Sequence, residues 1–207
     1  DKLANVTSNA SSAATNALTI VVDDAATAAE GAAIADSTSI ATVDVSAAGV
    51  SDTFANIVAA GTGAVSANMA KIDAKDANVN VTVSGTQANV TSANVTDLNA
   101  LLAATTGTVT ATIDGNVAQL TAITTDASSA AVNALTITVD DAATIADFES
   151  LDPRTNQNLI LAGGLKDTFA NFHDGSNPDG SLNTAITQDD NVVITITDAI
   201  TYAQAKE

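Results

Sequence analysis

The chain is expected to be an α/β protein: a repeat solenoid with one parallel β-sheet face, short helices on the other, and about seven strand–helix units. Three observations predict this. The stretch LTIVVDDAAT (residues 18–27) returns almost unchanged as LTITVDDAAT (135–144), 117 positions on. Short apolar–polar alternations, the mark of half-buried strands, recur along the chain. Each then meets Asp, Ser or Asn, followed by an Ala-rich stretch of helical spacing.

The repetition reaches beyond those ten residues. NASSAATNAL (9–18) aligns with DASSAAVNAL (126–135) at the same offset, within a match of 3–27 to 120–144. SDTFANI (51–57) returns as KDTFANF (166–172), now 115 positions later, and NVNVTV (78–83) has a looser echo in NVVITI (191–196). The expected organisation is a single array, with one long repeat over 1–117 and a partial second over 118–207.

Taken in order, strands are expected at Leu18-Ile20-Val22, Val43-Val45, Val79-Val81-Val83 and Val109-Ala111-Ile113. Further strands are expected at Leu135-Ile137-Val139, around 159–161, and at Val192-Ile194-Ile196. Helical spacing appears at Phe54-Ile57-Val58, Leu98-Leu101-Leu102, Val117-Leu120 and Ile145-Phe148. Strands joined by short helical links must lie parallel, with right-handed crossovers. A doubly wound sheet, covered on both faces, would have continuously apolar strands. These alternate, which favours the solenoid.

Asp24, Asp52, Asp141, Asp167 and Asp198 stand where a strand or turn gives way to a helix. A carboxylate there accepts the orphan N–H groups of the first turn and meets the positive end of the helix dipole. This structural capping explains why only Glu30, Glu149 and Glu207 among the 24 acids are glutamate.

Composition narrows the function. Hydrophobic residues are 46% but aromatics only 2%, so small side chains must fill a thin, regular core. A net charge of −18 argues against nucleic acid and anionic membrane as partners. There is no cysteine, hence no disulfide or thiolate site. No apolar run approaches the ~20 residues of a membrane span, so no membrane insertion is expected. No signal peptide opens the chain, which starts mid-pattern, and neither end reads as a polar capping repeat.

No nucleotide-binding, P-loop or zinc-protease motif is present, and the single histidine, His173, sits in a Gly/Pro/Asn/Asp loop. A non-enzyme without catalytic residues is the reading. Calcium is the one candidate cofactor: Asp174, Asn177 and Asp179 lie in that loop, with Asp189 and Asp190 beyond it. The EF-hand pattern fails there, and Asp-Gly and Asn-Pro also form turns without any ligand. The doublets Asp23-Asp24 and Asp140-Asp141 are further candidates. Outward strand positions place Thr82, Thr110, Thr112, Thr136, Thr138 and Thr195 in ladders, with Thr19, Asn80 and Thr197 beside them. Thr is simply a polar residue suited to strands; such ladders also suit lateral docking or, less plainly, ice binding. Asn5, Asn9, Asn80, Asn89 and Asn94 open N-x-S/T triplets.

The segments GVSDTFANIVA (49–59) and GLKDTFANF (164–172) resemble the V-x-D-T-A-A-N-I repeats of giant bacterial cell-surface and RTX-type secreted proteins. The Ala/Thr/Asp-rich style, with VTVSGTQANVTSANV (81–95), is most similar to surface proteins of marine cyanobacteria. Phe54 and Phe169 depart from the small residue usual at their place. The resemblance implies that Asp52 and Asp167 cap helices and that Asn56 and Asn171 satisfy turn backbone. It also implies an extracellular, often calcium-dependent protein of the cell surface.

The expected function is a non-catalytic structural module of a large extracellular, adhesin-like or filament-forming protein. A self-assembling S-layer or filament subunit, a virion fibre segment, and an ice-binding or calcium-dependent carbohydrate-binding module are the alternatives. The expected partners are further copies stacked end to end or laterally, or the rest of a longer repeat chain; a cell-surface glycan is a further candidate.

Overall fold

The structure, a computed structural model, describes residues 20–40, 42–44, 48–174, 177–201 and 204. Leu18, Thr19, Val45, Asn5 and Asn9 lie outside the described residues, as does the side chain of Asp174. The chain runs through β1 (Ile20–Val21), α1 (Ala28–Asp36), β2 (Val43–Asp44) and β3 (Val50–Thr53). A short helix α2 (Phe54–Ile57), the strands β4 (Val58–Ala59) and β5 (Ala64–Val65), and α3 (Ala67–Asp73) follow. The middle holds β6 (Val81–Gln87), α4 (Ser92–Ala104), β7 (Thr108–Gly115), α5 (Val117–Leu120) and β8 (Val132–Val139). Then come α6 (Ile145–Leu151), β9 (Leu165–Asp167), α7 (Phe169–Phe172), β10 (His173–Asp174) and β11 (Asn177–Pro178). The last elements described are α8 (Gly180–Gln188) and β12 (Ile194–Ile196).

β3, β6, β7 and β8 form a four-stranded sheet in that order, every neighbour parallel. β1 pairs β2, and β9 pairs β12, also parallel. Single parallel bridges join Ala26 to Val50, Thr138 to Ile160 and Ala143 to Leu165. The molecule is thus α/β with parallel pairing, as the alternation predicts. Two hairpins, β4–β5 and β10–β11, are antiparallel and depart from that expectation. The run at 159–161 forms a bridge and not a strand. Leu159 and Leu161 donate their N–H groups to the side chains of Gln188 (3.0 Å) and Asp189 (2.8 Å), so side chains replace a ladder partner.

The alternation places one face of the sheet inward. Val81, Val83, Val109, Ala111, Ile113, Leu135, Ile137 and Val139 are buried and share one apolar cluster with Leu98, Leu101, Leu102, Leu120, Phe148 and Leu151 from the helices. Each large side chain so buried contributes roughly 1.5–3 kcal/mol. The opposite face of the sheet, with Thr82 and Thr110, is turned to solvent.

The motif repeated at the start of the chain proves to be a helix start. Thr27 and Thr144, which end the two DDAAT segments, are the N-caps of α1 and α6. Each hydroxyl accepts the N–H three residues on, and the side chain of Glu30 or Asp147 reaches back to the cap N–H. These are capping boxes. Thr91 and Asn94 build a third at α4.

Candidate functional site

The two D-T-F-A-N segments carry matched polar constellations. At the first, Asp52 lies in the pairing of β3 with β6, where Val50 is opposite Val81, Asp52 opposite Val83 and Thr53 opposite Ser84. At the second, Asp167 ends the pairing of β9 with β12, where Leu165 is opposite Ile194 and Asp167 opposite Ile196. Asp52 Oδ1 accepts from Thr53 N (2.8 Å) and Asn56 Nδ2 (2.8 Å), and its Oδ2 accepts from Ala28 N (3.0 Å). Asp167 Oδ1 accepts from Thr168 N (2.8 Å) and Asn171 Nδ2 (2.7 Å), and its Oδ2 accepts from Ile145 N (3.1 Å). The same atoms do the same work at both places.

The backbone leading in is matched as well. Gly49 and Gly164 have φ of 70° and 77°, a left-handed conformation that favours glycine. A Cβ there would also lie 2.6 Å from Asn80 O or 2.5 Å from Val193 O. Those same oxygens accept from Val50 N and Leu165 N, each at 2.8 Å.

The direction of capping corrects the sequence reading. Asp52 and Asp167 do not cap the helices that follow them. Their distal oxygens hold the first N–H of α1 and α6, more than twenty residues earlier in the chain. Asp141 likewise accepts from Val117 N, the first of α5 (2.8 Å), and Asp198 from Phe169 N, the first of α7 (2.7 Å). A threonine in the chain holds the third N–H of α1 and α6 while an aspartate from a later segment holds the first. Two orphan donors per helix are thereby satisfied from two directions. Asp24 is exposed and lies three residues ahead of Thr27, which is the residue that caps α1. Asn56 and Asn171 are corrected too: they donate to the aspartate carboxylates and not to turn carbonyls.

The electrostatics follow from these bonds. Burial alone pushes the carboxyls of Asp52 and Asp167 up. The side-chain and backbone N–H donors aimed at each outweigh it and hold both below the usual carboxylate value of 3.8. Asp73 goes the other way, raised by burial and by the nearby charge of Asp76.

Three further groups escaped the sequence reading. Asp97 on α4 is buried and accepts from Gly61 N (2.6 Å) and Gly63 N (2.8 Å), pinning the β4–β5 turn. Thr105 donates its buried hydroxyl to Val79 O (2.6 Å), and Thr155 donates its own to Leu135 O (2.6 Å), each linking one segment to an earlier strand. Asn133, fully buried in β8, donates to Thr124 O and Arg154 O. Only the capping boxes carried a local signal, the T-x-x-E/D/N spacing. The others act across 20 or more residues, or depend on burial that no window displays.

The threonine positions do share rows. Thr82 lies opposite Thr110, and Thr86, Thr112 and Thr136 fall in one row. Ala134 and Asp114 interrupt the rows beside Thr110 and Thr138, and Thr195 lies apart, opposite Lys166. Thr82, Thr110 and Thr195 are exposed; Thr112, Thr136 and Thr138 are half-buried.

The proposed calcium ligands are placed as follows. Asp179 is the N-cap of α8, accepting from Ser181 N (2.7 Å). Asp189 accepts from Leu161 N and Asn191 N, Asp190 accepts from Asn191 Nδ2, and Asn177 is exposed in β11. Among the described residues no group of three or more His, Asp or Glu side chains converges as a metal site would. His173 is half-buried and stacks on Phe169, centroids 5.0 Å apart. An open groove of about 290 Å³ beside the second segment is lined by Glu149, Asp167, Asn171 and Asp179, and the Ser181 hydroxyl there donates to Glu149 (2.6 Å). Among the described residues no helix is long and apolar enough to cross a membrane.

No family of known proteins matches this chain, and neither a curated protein nor a solved structure is similar to it.

Proposed function

We propose that this chain is a stretch of α/β solenoid serving as a non-catalytic structural module of a large extracellular protein, adhesin-like or filament-forming. The observation that supports it best is the pair of D-T-F-A-N segments, 115 positions apart, making the same hydrogen bonds in the same register. A carboxylate that caps the helix of an earlier segment ties each unit to its neighbour. Stability in such an array is a sum of unit and nearest-neighbour terms, which suits a rod or spacer. The likeness to V-x-D-T-A-A-N-I repeats and the −18 charge support a cell-surface setting.

A self-assembling S-layer or filament subunit is the second reading, favoured by the exposed apolar residues of β12. The test is the length and location of the polypeptide in its native source, read by mass spectrometry after protease shaving of intact cells. A giant surface-exposed chain supports the module; a chain of about this length found in filaments supports the subunit. A cytoplasmic protein with turnover of any substrate overturns both. Calcium remains the ligand proposed for the loop around Asp174 and Asp179. Millimolar Ca²⁺ should raise the Tm more than NaCl of matched ionic strength, and equal effects would reduce it to screening.

A further inference from the structure

We propose that the groove between the 3₁₀ turns Asp126–Ser128 and Asp152–Arg154 and the end of α8 is a binding site for a neutral saccharide. The inference goes beyond the structural role above and does not rest on the length of the array.

The groove has a volume of about 350 Å³ and is lined by Asp126, Asp152, Asn156, Gln157, Asn158 and Gln188. That is the lower end of small-ligand sites, about 300–1,000 Å³. Part of this lining is pinned to the frame. Asp126 Oδ1 accepts from Asn133 N (2.6 Å), Asp152 Oδ1 from Gln188 Nε2 (2.5 Å), and Gln188 Oε1 from Leu159 N (3.0 Å). Each carboxylate is thereby oriented with one oxygen left over: among the described residues nothing donates to either Oδ2. The Asn158 amide is exposed and has no partner among the described residues.

This chemistry selects the ligand. The two carboxylates repel anions, and among the described residues no Lys or Arg lines the groove. Arg154 is committed to the backbone, with Nε donating to Ser150 O and Nη1 to Ile123 O. Among the described residues no three acids converge as a cation site requires. Oriented carboxylate oxygens accept from hydroxyls, while Asn and Gln amides both donate and accept. Adjacent hydroxyls of a sugar ring need that combination. Pro153, exposed in the lining, offers a carbon surface to the ring's C–H face.

Comparison of the two long repeats points to the same groove. Thr155 and Thr38 are buried counterparts, and each hydroxyl accepts from the N–H two residues on, of Gln157 (3.0 Å) or Ile40 (3.2 Å). Val192 N and Val79 N donate to Asp189 O and Asp76 O, both at 3.2 Å, which makes Gln188 the counterpart of Lys75. The frame is kept while the lining changes. Asn156-Gln157-Asn158 and Gln188 stand where the first repeat has Ser39-Ile40-Ala41 and Lys75. Lys75 Nζ donates to Thr38 O (3.3 Å) and Ile40 O (2.5 Å), so a cation closes over the first loop. Gln188 turns to Asp152 instead, and the second loop stays open as the groove.

The test is an NMR titration of the isotope-labelled chain with cellobiose, lactose, mannobiose and chitobiose, and with digalacturonate as the acidic counterpart. A Kd of about 1 mM is expected, so shifts should approach saturation by about 10 mM. They should fall on residues 126–128, 152–158 and 188, for at least one neutral disaccharide and not for digalacturonate. The first repeat's residues grafted in as N156S/Q157I/N158A should weaken binding by roughly tenfold or more and leave the Tm unchanged. Asn158→Ala removes no bond within the fold and should weaken binding roughly threefold to tenfold, which serves if the triple variant does not fold. No shift with any neutral disaccharide, equal shifts with digalacturonate, or unchanged binding by the Asn158→Ala chain would each overturn the proposal.

Discussion

The segment around Asp52 and the segment around Asp167 share five consecutive residues, a strand register and a set of hydrogen bonds, yet they are not buried alike. Phe54 is 8% exposed, while Phe169 is half-buried and lies against His173. Asp52 is half-buried, whereas Asp167 is 8% exposed. The aspartate of the first segment caps α1 at an alanine, and that of the second caps α6 at an isoleucine. Polar geometry is thus set by the shared motif, and burial by what each segment meets next. The two copies diverge in packing and not in hydrogen bonding.

The phenylalanines offer the largest test of that divergence. Phe54→Ala should cost about 3–5 kcal/mol by creating a cavity. Phe169→Ala should cost about 1–2 kcal/mol, because the residue is only half-buried. Urea melts of the two variants decide; equal losses would mean that the surroundings do not distinguish the segments.

The aspartates should rank in the opposite order. Asp167→Ala strands the buried N–H of Ile145 and should cost about 2–3 kcal/mol, against about 1–2 kcal/mol for Asp52→Ala at a better solvated site. A reversed ranking in the same melts would show that the bonds, and not their burial, dominate.

Acid sharpens the comparison further. Both carboxyls lie below 3.8 when folded, so protonation favours the unfolded chain. The stabilisation they add is complete above pH 4 to 5 and is lost as pH falls through the folded values. Melts from pH 7 to pH 3 should steepen below about pH 4, and Asp52→Asn with Asp167→Asn should flatten that slope. Asp73, raised by burial and by Asp76, acts oppositely, so Asp73→Asn should raise the Tm at pH 7 and leave it unchanged at pH 3.

The smallest effect is expected on the open face. Thr82→Ser on β6 and Thr195→Ser on β12 occupy matched positions in the two segments, and both are exposed. Each should change stability by less than about 0.5 kcal/mol. A larger loss at Thr82 alone would show that its row with Thr110 carries energy that exposure hides.

The sequence by itself determined the elements whose cause is local. Period-two alternation put β6, β7 and β8 in a parallel sheet with one face inward, because successive side chains of a strand point to opposite sides. Apolar spacing placed α4, α5 and α6, and the recurrence of D-T-F-A-N foretold two equivalent polar constellations. Tertiary structure decided what each group touches. An aspartate next to a helix in the chain looks like that helix's cap, yet parallel stacking brings its distal oxygen to the helix of the previous strand. The burial of Asp97, the cross-strand hydroxyls of Thr105 and Thr155, and the replacement of a strand at 159–161 by Gln188 and Asp189 have the same origin. Their partners lie 20 to 36 residues away, and a hydrogen bond across that separation depends on how segments stack, which no local pattern of residues encodes.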